Sequence, residues 1–395
     1  MEATRIDAAL FDELENALKE QGPEAAIDRL CQGLCERKDY GAYFYALLLK
    51  KRYELGLPPV PQMGEDDIPE ALQGPYEDAI REACRKVGRM LLDEGNIPQA
   101  YMYYQMIGET EPVAEALEKV EPDTEDGDEV QPLVEIGFHY GVHPKRGFDL
   151  LLKTYGLCSA ITAMSNAEGN LPGEARQYCV KQLVRTLYAE LSERLVSDIV
   201  AKEGKEPADK RVGALIQGRD WLFADEAFHV DLSHLSSVVQ MALQLKPGEE
   251  LEMVRELCEY GKRLSPAYGF SIEPPFENQY EDFAVYFSIL AGDKVEEGLA
   301  HFRKKVEAMD PEENDTAPAE VLVNLLLACN RLPEALETSR RYLATAPGRR
   351  LACPSFIDLC HRAKDYQTLA EVAREQGDSV NFLAGLLSAR NGSGA

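Results

Sequence analysis

Between Cys84 and Pro112 the chain sets a glycine, a turn dipeptide, an alanine and a tyrosine in an order suited to two antiparallel helices in close contact. Val87, Gly88 and Leu91 form an apolar stripe with a gap at Gly88, and Gly95-Asn96 interrupts it. Ala100 and Tyr104 then fall one helical turn apart on a second helix, which the spacing ends at Pro112. Such a pair cannot bury its apolar face by itself. It must stack on neighbours, so the segment constrains the architecture of much of the chain.

The rest of the chain follows the same logic. Arg5 to Glu20, Pro23 to Arg37 and Asp39 to Tyr53 carry apolar residues at three-to-four spacing, and sustained strand-like alternation is rare, which predicts an all-α fold. Hairpin turns recur at Asp293-Lys294-Val295, Asn330-Arg331-Leu332 and Lys364-Asp365-Tyr366, at intervals of 37 and then 34 residues. Gly298 and Phe302 occupy the small and aromatic positions of the first of these units. Ala335 and Pro347 take the small and terminal-proline positions of the second. The third carries Leu369 where a small residue is expected, and Gly377 followed by Asp378 to Ala389 reads as a closing helix.

These positions resemble tetratricopeptide repeats, with Tyr286 and Val323 standing where the first helix usually has glycine. The resemblance implies antiparallel helical hairpins stacked as an irregular tetratricopeptide-like α-solenoid. The expected organisation is an amino-terminal helical bundle (1–57), a proline-rich linker (58–75), a tetratricopeptide-like unit (76–120) and an acidic linker (121–131). An irregular helical middle region (132–247), the carboxyl-terminal repeats with their capping helix (248–389) and a tail (390–395) complete it.

Charge narrows the range of partners. The 69 acidic residues against 42 basic give a formal charge of -27, which repels phosphates and anionic headgroups, so neither nucleic acid nor a membrane surface is expected. The amino terminus lacks an apolar run and no window is long enough for a membrane span. The nine cysteines are scattered through apolar helical patterns, as buried free thiols are, and a cytoplasmic location is the expectation.

Motifs for catalysis are largely missing: there is no Gly-x-Gly-x-x-Gly, no phosphate-binding loop, no Gly-x-Ser-x-Gly and no Cys-x-x-Cys. The leading expectation is a non-catalytic scaffold or adaptor without a cofactor, whose negative surface favours a protein partner with a basic segment. Tyr101, Tyr104, Asn330 and Arg331 are the candidate partner-binding residues, because aromatic and turn-adjacent positions of such hairpins often face a groove. A metal-binding protein or metal-dependent enzyme is the second reading, with His139, His143, His229, Asp231 and His234 as ligands should they converge. Competing with it are a terminal histidine pair before Pro144 and an Asp231 or Ser233 cap on the following helix. A self-assembling structural subunit is the third.

Overall fold

The computed structural model describes residues 8–61, 68–121, 127–167, 171–269, 272–309, 316–344 and 351–392. Several expectations lie outside them: the first seven residues, the centres of the two linkers, Pro347 and the last three residues of the tail. Every regular element among the described residues is helical, so the fold is all-α. None of their helices is long and apolar enough to cross a membrane. The chain forms two compact units, 1–171 and 172–395, so the boundary falls inside the region read as a single middle segment.

In the first unit α1 (Ala8–Glu20), α2 (Pro23–Glu36), α3 (Tyr40–Glu54), α4 (Glu70–Asp93), α5 (Ile97–Ile107) and α6 (Glu111–Leu117) each pack on the preceding helix. Asp39 accepts a hydrogen bond from the backbone N–H of Ala42 and starts α3, and Asn96 does the same for α5 through Gln99. Gly95, at φ 78°, makes the turn between α4 and α5. That hairpin is the one the sequence signals, with two differences at its ends. The helix α4 starts at Glu70 inside the expected linker and accommodates Pro75, and α5 ends at Gly108 in the left-handed region. Pro112 therefore opens α6, where its missing N–H costs little. The unit continues with α7 (Gly127–Val134), a π-turn over Glu135–His139, and α8 (Pro144–Asn166). Gly137 and Gly147 let α8 lie against that turn; a Cβ on Gly137 would come 2.9 Å from the Gly147 Cα.

The second unit is built on α9 (Gly173–Glu203), whose inner face runs Cys179, Val180, Leu183, Leu187, Leu191, Leu195 and Ile199, all fully buried. Against it pack α10 (Val212–Ile216), α11 (Leu232–Met241) and α12 (Glu249–Gly261). From α12 the helices succeed one another: α13 (Tyr280–Leu290), α14 (Val295–Glu307), α15 (Ala317–Ala328), α16 (Leu332–Tyr342), α17 (Phe356–Ala363), α18 (Tyr366–Glu375) and α19 (Ser379–Gly392). The three expected hairpin turns are present, and the second helices start at Val295, Leu332 and Tyr366. Lys294, Asn330 and Lys364 adopt positive φ of 49°, 60° and 55° to make them. Phe302 and Ala335 are fully buried. Gly385 holds α19 against α18, since a Cβ there would lie 2.9 Å from the Tyr366 carbonyl oxygen.

Candidate functional site

Of the residues singled out for metal binding, His143, His229 and Asp231 have their side chains engaged locally. His143 caps α8: its Nδ1 accepts the backbone N–H of Arg146 at 3.2 Å, and its Nε2 faces a Glu118 carboxylate at 2.9 Å. His139, at the end of the π-turn, is exposed and meets Phe138 edge-on.

His229 is only 6% exposed. Its backbone N–H donates to the Tyr260 hydroxyl at 2.8 Å, that hydroxyl lies 3.0 Å from Nδ1, and Nε2 lies 3.2 Å from an Asp198 oxygen. The neutral ring that donates from Nε2 satisfies all three contacts and leaves no lone pair for a cation. Burial pushes the Tyr260 phenol up to about 12 and the His229 imidazole below its ordinary value, with Asp198 opposing the latter shift. Asp231 is the cap of α11, bonded to the N–H groups of Ser233 and His234, and the Ser233 hydroxyl holds its carboxyl below the usual range. Among the described residues no group of three or more His, Cys, Asp or Glu side chains is placed to hold a metal ion.

The partner-binding candidates divide by burial. Tyr101 and Tyr104 are 8% and 3% exposed, so both rings belong to the interior of the first unit. Tyr101 stacks on Tyr140 at 5.7 Å, and Tyr104 fills the space left by Gly88, where a Cβ would come 2.6 Å from the ring. What α5 presents outward instead is Met102 and Met106. Asn330 makes the turn before α16, and Arg331 is paired with Glu296 and with Glu334 at 3.3 Å.

A hollow of about 520 Å³ in the second unit lies elsewhere, along α12, α13 and α14. Glu281, Ala284, Val285 and Ser288 supply one wall, and Lys294, Glu297, Gly298 and His301 the facing one. Both sets have the i, i+3, i+4, i+7 spacing of one helix face, which is why two short helices can line one channel. Glu259 and Lys262 at the end of α12 close its third side and pair with each other at 2.6 Å. Gly298 keeps the floor low, because a Cβ would come 2.5 Å from Ile289 Cγ1 and 3.3 Å from Val285 Cγ1.

Beneath this wall sits Asp282, fully buried in the first turn of α13. Its carboxylate accepts from His301 Nε2 at 2.7 Å, from Lys305 Nζ at 3.0 Å and from the backbone N–H of Asn278 at 2.8 Å. Three donors compensate its burial and fix the imidazole at the edge of the hollow. Of the lining residues the sequence signals Lys294, in a hairpin turn, and Gly298, at a small position. The shared helical face of 281, 284, 285 and 288 was the available signal for the rest.

No known protein family model matches this chain, and a search of curated proteins also finds no match.

Proposed function

We propose that the chain is a non-catalytic scaffold or adaptor, built of tetratricopeptide-like helical hairpins, that holds a segment of a partner protein in the groove along α13. The observation that carries this reading is the groove itself. Two short helices bring matching faces together over a floor of Ala284, Val285 and Gly298 while exposing Glu281 and Glu297 at its rim. A long concave surface with an apolar floor and polar edges suits a peptide segment. The shape of the repeats supports the family resemblance, since their turns start the second helices at the expected residues.

Site-specific photocrosslinking tests the reading. A photoreactive side chain at Ser288, at the groove, is compared with one at Val200, 40% exposed on α9. A discrete protein adduct formed from Ser288 and absent from Val200 supports partner docking. Equal labelling at both positions, or none, overturns it.

Self-assembly is favoured by one separate observation. Val380, Leu383, Leu386 and Leu387 leave α19 with an exposed apolar face. Light scattering of the native chain and of the Leu383→Glu/Leu387→Glu variant tests this: a native mass above one chain that drops in the variant supports assembly, and a single-chain mass for both rejects it.

A further inference from the structure

We infer that the groove along α13 is the docking site for an extended, basic segment of a partner protein, with Glu281 and Glu297 receiving its lysine or arginine side chains. This rests on the partner-binding reading and adds the chemistry and conformation of what is bound.

Conformation follows from the shape of the cavity. A second hollow of about 230 Å³ is lined by Leu264, Ser265, Tyr268, Asn278 and Tyr280, and shares Lys262 and Glu281 with the larger one. The two therefore adjoin at these side chains, and we read them as compartments of one trough. The face of α13 from Glu281 to Ser288 is about 10 Å long at 1.5 Å per residue. An extended chain advances about 3.3 Å per residue, so about three residues fill the larger compartment and a few more enter the smaller. A linear chain fits such a trough, whereas a compact ligand would leave one compartment empty.

Charge decides the chemistry. Five lining residues of the larger hollow are carboxylates or ammonium groups: Glu259, Glu281, Glu297, Lys262 and Lys294. Glu259 and Lys262 neutralise each other at 2.6 Å. Among the described residues Glu281 and Glu297 pair with no cation, and both are exposed. Asp282 adds no free charge, because His301 and Lys305 already satisfy it. Two open carboxylates against the single ammonium of Lys294 leave the trough negative, on a chain whose formal charge is -27. A guanidinium or ammonium head can bind these carboxylates at the rim while its methylene stem covers Ala284 and Val285. An acidic segment would meet repulsion at both glutamates.

Fluorescence anisotropy with the full chain tests the proposal. The probes are a labelled nine-residue peptide with arginine at three alternate positions and its counterparts with glutamine or glutamate there. The arginine peptide should bind, more weakly as salt rises. Glu281→Lys and Glu297→Lys should each weaken it by about tenfold. Glu337→Lys, the same charge change at an exposed position on α16, should leave it within about twofold. Equal losses in all three variants would show nonspecific attraction to an acidic surface and overturn the proposal. Val285→Trp, which fills the trough, separates this failure from that of the underlying reading. If the glutamine peptide binds as well as the arginine peptide and Val285→Trp abolishes both, peptide docking survives and the basic preference falls. If none of the three peptides binds, the proposal falls, and photocrosslinking at Ser288 decides the partner-binding reading on its own.

Discussion

The hairpin α4–α5 of the first unit and the hairpin α13–α14 of the second both rely on a helix glycine, with opposite results. At Gly88 the neighbour is the ring of Tyr104, which fills the contact. At Gly298 the neighbours are Ile289 and Val285, and beside them the small side chain of Ala284 leaves an open trough. A glycine thus sets how near two helices come, while the residue opposite decides whether the space is filled or left for a ligand. The units also differ in what they bury. Among the described residues the first encloses one charged or polar side chain, Arg52, which donates to the Pro58 carbonyl at 2.7 Å. The second encloses His229, Ser236, Glu250, Asp282, Glu320 and Ser339. The second unit therefore adds buried polar contacts, such as Asp282 with His301 and Lys305, to its aromatic packing.

That contrast is broken most directly at Asp282. In Asp282→Ala the ammonium of Lys305, 11% exposed, keeps only Glu277 at 2.8 Å, and His301 loses its acceptor. Removing one partner of a buried charged cluster typically costs about 3–5 kcal/mol. Urea denaturation should show a loss of that order, and a loss below about 1 kcal/mol would mean that the carboxylate does not pin α13 to α14. The next largest effect lies in the first unit. Gly88→Ala drives a methyl group into the Tyr104 ring, and overpacking of this kind costs about 1–3 kcal/mol. Adding Tyr104→Leu to it should cost less than the sum of the two single changes, because both act on one space. Additive losses would show that the ring and the glycine do not share a contact.

The elements legible in the sequence are those whose signal is local. The turns before Val295, Leu332 and Tyr366 were read from adjacent residues, and the Gly88 gap from a stripe on one helix. The start of α4 is hidden, because prolines read as connector residues, whereas Pro69 caps this helix and Pro75 is accommodated inside it. Tyr101 and Tyr104 are candidates for a groove or for the core on sequence alone, because their spacing says only that they share a helix face; which face is covered depends on α4 and the π-turn. The trough was hidden for the same reason. It joins Glu259 and Lys262 to Glu281 across the long connection after α12, and no periodicity within one helix reports such a meeting.

The second unit's buried polar groups predict a response to acid. His229 is pushed below its ordinary value of 6.5 by burial, so the folded chain binds this proton less readily than the unfolded chain. Stability contributed by His229 is complete above that value. It is lost as pH falls through it towards the depressed native value, with a slope of at most about 1.4 kcal/mol per pH unit. Denaturation midpoints measured from pH 8 to pH 5 should therefore decline in the native chain and decline less in His229→Gln. An unchanged slope in the variant would assign the acid response to another group.

The smallest effect is the sharpest test of the comparison. Gly298→Ala also places a methyl within contact range, 2.5 Å from Ile289 Cγ1 and 2.8 Å from its Cδ1. Here the obstacle is the side chain of Ile289, itself 2% exposed, whose Cδ1 end is free to turn while Cγ1 is fixed by χ1, whereas at Gly88 it is an aromatic ring. Cδ1 can turn about χ2, a small shift of α14 relieves the Cγ1 contact, and alanine gains about 0.5–1 kcal/mol of helix propensity over glycine. The net cost should stay below about 1 kcal/mol. Ile289→Val should remove part of what remains, since it deletes Cδ1 and keeps Cγ1. A Gly298→Ala loss as large as that of Gly88→Ala would mean that the wall of the trough is as rigid as the closed hairpin. The added methyl would also raise the trough floor, so the variant should bind the arginine peptide more weakly while it remains folded.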